Sequence, residues 1–97
     1  MTFRLSQQAE ADLIAIYLYG IENFGVVQTE SYMDKIDEMI CLIGHSPNIA
    51  RLRKEISPPV HIHPVGAHII VYLVDDHRTV RILRIRHGRE NWPENPL

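Results

Sequence analysis

One stretch, His61 to Trp92, leaves this chain few folds to choose from: HIHPVGAHIIVYLVDDHRTVRILRIRHGRENW. It reads as three short strands, roughly Val60–Pro64, Ala67–Asp75 and Thr79–Arg86, with turns at Val65-Gly66 and Asp76-His77-Arg78. Turns this short pair neighbouring strands antiparallel. In the middle strand Ala67, Ile69, Val71 and Leu73 take one side, and Ile70, Tyr72 and Val74 the other. A strand apolar on both sides must be covered on both sides.

The residues before it supply one cover. Thr2 to Leu5 is a short strand with Phe3 and Leu5 alternating, and Ser6 stands where a helix N-cap belongs. Ala9, Leu13, Ile16, Tyr17, Gly20 and Phe24 then recur at three- and four-residue spacing, one face of a helix that Gly25 ends. A second helix is predicted from Val26 to Ile43, with Thr29, Tyr32, Ile36, Met39, Ile40 and Ile43 on its apolar face, before Gly44-His45-Ser46-Pro47 stops it. The join is too tight for anything but an antiparallel hairpin. The fold class is therefore α+β, in the order βααβββ: a short N-terminal strand, the helical hairpin and a three-stranded antiparallel meander. Asn48 to Pro59 reads as a polar connection.

Two surfaces are left over. The first helix carries a second apolar line, Ile14, Leu18 and Ile21, which the second helix or a partner must cover. The sheet has a second face that a hairpin cannot reach, leaving it to the C-terminal tail or another protein. Trp92, alone in that polar tail, could anchor the tail or a partner.

Charge is split along the chain. Residues 1–50 hold seven acids against Arg4 and Lys35, while residues 51–97 hold eight bases and five acids, under a net formal charge of −2. Eight of the ten bases are arginine, whose planar fork suits bidentate docking to carboxylate or phosphate. Arg84, Arg86, His87 and Arg89 form a cationic tip for a target or an acidic partner, and Arg51 and Arg53 a second rim. The net charge is too near zero for a sequence-tolerant DNA coat.

For a chain of 97 residues these patterns predict one domain. The lone Cys41 forms no internal disulfide, and the N-terminus MTFRLSQQAEADL lacks the apolar run of a signal peptide. The longest apolar run, Ile69 to Val74, is too short to span a bilayer, so no membrane role and a cytoplasmic location are expected. His61 and His63 share a strand face and His68 could approach them, but no Cys or acid sits at ligand spacing; no metal or cofactor is expected. His87 between arginines could supply part of a metal-independent RNA-cleaving site, with Arg84 and Arg89 holding phosphate. No lysine lies in that region and no tyrosine follows Tyr72, so a docking rim is the preferred reading.

These residues together resemble the ParE branch of the RelE/ParE superfamily of bacterial type II toxins. The resemblance is carried by SQQAEADLIAIYLYGIENFG, by Gln28, Tyr32 and Ser46-Pro47, by PVGAHIIVYLV with Pro64, Gly66, His68 and Tyr72, and by ILRIRHGR. It implies neutralisation by a ParD-like antitoxin with a ribbon-helix-helix N-terminus, a toxin that inhibits DNA gyrase without being an enzyme, and contact with DNA only through the antitoxin. Antitoxin packing falls to Ile14, Leu18, Ile21 and Trp92. The RelE branch, which cleaves mRNA on the ribosome, is the alternative, with His87, Arg84 and Arg89 catalytic. A non-toxic, binding-only member of an autoregulatory complex is a third reading.

Overall fold

The computed structural model describes residues 3–90, so Trp92 and the tail around it lie outside the described residues. The chain forms β1 (Phe3–Leu5), α1 (Gln7–Phe24), α2 (Val26–His45), a single 3-10 turn at Pro47–Ile49, β2 (Leu52–Arg53), β3 (Val60–Val65), β4 (His68–Val74) and β5 (Val80–His87). The strands make one sheet in the order β1-β5-β4-β3-β2. β1 runs parallel to β5, and every other pair is antiparallel. The predicted α+β architecture is thus present, with one element added. Two residues of the expected connection, Leu52 and Arg53, pair with His61 and Val60.

Local chemistry sets the helix ends. Ser6 Oγ accepts from the Ala9 amide at 2.9 Å, the N-cap expected from its position, and its hydroxyl donates to the Leu83 carbonyl at 2.7 Å. Gly25 alone joins the helices at φ 83°, a backbone angle that side chains with a Cβ rarely adopt. Near that join the helices touch closely. A Cβ on Gly20 would lie 2.7 Å from both Cγ2 and Oγ1 of Thr29. Gly20→Val is therefore expected to cost about 1–3 kcal/mol by overpacking, with Thr29→Ala in the same chain restoring most of it in urea melts. Full additivity of the two changes would refute this close approach.

The larger core lies between hairpin and sheet. Ala9, Ile36, Ile40 and Ile43 meet Val65, Ile70, Tyr72, Val80, Ile82 and Ile85, with Phe3, Leu5, Leu13 and Ile16 at its margin. Tyr17 and Phe24, expected on this face, are exposed instead. The opposite face of the sheet holds a second cluster, Ile56, Val60, Ile62, Ile69 and Val71, packed with Leu83. The expectation that this face waits for the tail or a partner fails in part. The connection itself delivers Ile56, and Ile69 and Val71 are 7% and 0% exposed.

A bulge alters the faces of β5. Val71 pairs with Arg84 but Tyr72 with Ile82, so Leu83 is the extra residue. Leu83 therefore packs on the far face while Ile85 joins the hairpin side, where strict alternation would put both together.

Candidate functional site

The arginine tip is largely neutralised from within. Arg84 forks onto Asp12 of α1, Nε to Oδ2 at 2.7 Å and Nη2 to Oδ1 at 3.0 Å. Asp12 Oδ2 also accepts from the Ile85 amide at 2.9 Å. Asp12 pushes the Arg84 guanidinium above its ordinary value through these bonds. Arg86 donates to Glu90 Oε2 at 3.1 Å, while the His87 amide donates to Oε1 at 2.7 Å. That amide, followed by Arg86, holds the Glu90 carboxyl below the usual range. In the second rim Arg51 forks onto Glu55, an exposed pair four residues apart. Arg53 is partly buried at the sheet edge and Arg89 is exposed. Asp12 is a partner that the charge pattern does not single out, whereas Glu55 and Glu90 stand four residues beyond Arg51 and Arg86.

Arg84 is committed to Asp12, and His87 has other neighbours. It shares the hairpin side of the sheet with its β4 partner His68, their ring centroids 5.2 Å apart. Within the His87–Arg84–Arg89 grouping, Arg84 serves Asp12 and Arg89 is exposed. His68 Nδ1 lies 2.6 Å from the Tyr32 hydroxyl, which also accepts from the Ala67 amide at 3.0 Å. Burial, then the neighbouring His87, pushes the His68 imidazole below its ordinary value.

The other histidines have structural uses. His61 Nδ1 donates to the Ala50 carbonyl at 2.7 Å, and its ring stacks on Tyr72 at 4.8 Å and 10°. Tyr72 donates its hydroxyl to the Pro47 carbonyl at 2.7 Å, and burial pushes the phenol above its ordinary value. These two side chains pin the 3-10 turn to the sheet, which settles Tyr72 as core. His63 Nδ1 meets the Pro64 carbonyl at 2.8 Å. The three histidines considered for zinc thus have separate Nδ1 partners, and among the described residues no three His, Cys, Asp or Glu side chains are grouped as metal ligands would be.

The most exposed apolar side chains lie on the helices. Ile14 and Leu18 are each 60% exposed, so the second helix does not cover them as expected; Ile21 is half-buried. The reason is geometric: α2 packs on the face of α1 that carries Gly20, a different side from this line. Ile14 borders a groove of about 590 Å³ shared with Leu13, Tyr17 and Met33, with Glu30 and Asp34 on its α2 wall. A second cavity, of about 620 Å³, is lined by Tyr32, His68 and His87 and shares no residue with the first.

A helical hairpin across a sheet in this strand order is the α+β build of the RelE/ParE class. A solved chain described as "Chromosomal ParDE TA system from P. aeruginosa" superposes with a TM-score of 0.78 over 90% of this chain and 95% of that one, and at 22% identity the likeness concerns the fold. The sequence model for "ParE toxin of type II toxin-antitoxin system, parDE" matches residues 3–92. The chain belongs to that family: it is a ParE toxin of a type II toxin–antitoxin system. Toxin ParE1 of Mycobacterium tuberculosis is 29% identical over 96% of this chain and 95% of its own length. Toxin ParE1 of Caulobacter vibrioides is 28% identical over 92% of this chain and 91% of its own. Among the described residues no helix is long and apolar enough to cross a membrane.

Proposed function

We propose that this toxin acts in the cytoplasm on DNA gyrase and is held inactive by a ParD-like antitoxin whose chain packs along Ile14 and Leu18. The family match over residues 3–92 carries the reading. The exposed apolar line beside a 590 Å³ groove supports the docking half. The antitoxin segment is an amphipathic one with basic residues flanking its apolar ridge, because Glu30 and Asp34 border the groove. An acidic partner, which the arginines suggested, has less to meet, since Arg51, Arg84 and Arg86 already hold Glu55, Asp12 and Glu90. The mRNA-cleaving alternative is less favoured for the same reason: Asp12 occupies Arg84, one of its two phosphate-holding arginines.

The test is gyrase supercoiling with purified toxin. Inhibition or accumulation of cleaved DNA, reversed by the antitoxin, is the expected result. Full gyrase activity at a large molar excess, together with codon-specific cuts in translated mRNA that vanish in His87→Ala, would replace this reading with the nuclease one.

A further inference from the structure

The cavity at the free end of β4 and β5 is unused by the function proposed above, yet its chemistry is specific. The Arg89 amide donates to His87 Nδ1 at 3.1 Å, so that nitrogen is an acceptor and the proton of the neutral ring sits on Nε2. The Tyr32 hydroxyl accepts from Ala67, leaving its own proton for His68 Nδ1 at 2.6 Å, a far better partner than the Val65 carbonyl at 3.4 Å. His68 is thereby also an Nε2–H tautomer. Two imidazoles with ring centroids 5.2 Å apart thus each keep a donor, and neither keeps a free acceptor. The exposed Lys35 adds an ammonium to the same lining.

Two further features concern what else the cavity holds. Thr29 lines it while 3% exposed, and its Oγ1 makes no hydrogen bond among the described residues. That oxygen packs against Gly20, so it belongs to the helix contact and leaves a ligand to the histidines and Lys35. Tyr19 and Phe24, in edge-to-face contact at 6.2 Å, form an aromatic wall, although they are 63% and 57% exposed. The volume, about 620 Å³, is that of a small-molecule site.

We propose that this cavity binds a small ligand joining a flat ring to a phosphate or carboxylate, the anion on His68, His87 and Lys35 and the ring against Tyr19 and Phe24. The anion accepts what the donors offer, and the ring covers aromatic surface now in water. The site stands on a face of the hairpin distinct from the Ile14 groove, so it does not depend on the antitoxin reading.

Binding is coupled to protons. An anion beside His68 opposes the effect of burial and of His87, drawing a proton onto His68 Nδ1 as the Tyr32 hydroxyl turns its own proton to the Val65 carbonyl. Glu90 and Asp12 act on His68 in the same direction as the anion, and Lys35 is the cation lining the same cavity. For a ligand whose own charge stays fixed, affinity therefore rises as pH falls.

The probes are phenyl phosphate, benzoate, phenol and inorganic phosphate, titrated into the full chain with labelled histidine side chains. Phenyl phosphate or benzoate is expected to move the His68 and His87 resonances saturably, and the tighter of the two shows whether phosphate or carboxylate is preferred. That ligand should bind at least about tenfold tighter than phenol or inorganic phosphate, and benzoate, whose own charge is constant over the range, should bind tighter at about pH 6 than at about pH 7.5. Lys35→Gln, at an exposed position that leaves the fold alone, should weaken it about threefold or more. No saturable shift from either ring-bearing anion, or equal binding of phenol, or shifts confined to the other histidines, would overturn the proposal.

Discussion

Replacing Asp12 by alanine should destabilise this toxin by about 3 kcal/mol, the largest effect expected of any polar side chain in the fold. Its carboxylate takes three hydrogen bonds, two from Arg84 and one from the Ile85 amide, with the two side chains 16% and 20% exposed. Removal strands a guanidinium and a backbone donor in a site largely closed to water, and the cost comes from those orphans more than from the lost attraction. Arg84→Ala should cost less, because the Asp12 carboxylate keeps the Ile85 amide and can rehydrate. Asp12→Asn, which keeps an oxygen for Ile85, should fall between. Urea melts at constant m-value read all three directly. An Asp12→Ala loss below about 1 kcal/mol would reduce the pair to an ordinary surface bridge.

The second large effect concerns association. Leu18→Glu and Ile14→Asp should leave the melting temperature nearly unchanged, since each side chain is 60% exposed. Each should weaken capture of the antitoxin by about thirtyfold or more, the scale of about 2 kcal/mol for an apolar anchor at the centre of an interface. At Ile14 the new carboxylate joins Glu30 and Asp34 and would attract the antitoxin's basic flanks, so the loss reads the forfeited apolar burial against that attraction. Glu30→Gln is expected to change the salt dependence of binding more than its strength. Titration calorimetry with the cognate antitoxin decides the matter. Undiminished affinity in the Leu18→Glu, Ile14→Asp double variant would move the antitoxin off α1.

Features set by neighbours along the chain are legible in the amino-acid order itself. The Ser6 cap, the Gly25 join and the turns at Gly66 and residues 75–79 are short-range chemistry. The two-sided apolar strand at Ile69–Val74 calls for cover on both faces, and receives it. The departures come where distant residues intervene. Leu52 and Arg53 carry no strand pattern of their own; β3 recruits them. Leu83 changes face because one extra residue is accommodated in β5, and alternation cannot foresee a bulge. The arginine tip looks like free charge because Asp12 lies 72 residues from Arg84. Glu55 and Glu90, each four residues beyond their arginines, could have been read as their partners. The cavity is a meeting of Tyr32 with His68 and His87, visible only once β4 and β5 are in register.

Asp12 has a consequence for how this protein behaves in a crowd. β1 covers β5 only as far as Ile82, and the next amides would be an open template for strand addition. Ser6 and Asp12 occupy that margin, the first on the Leu83 carbonyl and the second on the Ile85 amide. At the other border β2 offers two residues, too few to seed a ribbon. A concentrated stock of the toxin should therefore resist fibril growth, and loss of Asp12 should sensitise it to aggregation even where the variant stays folded.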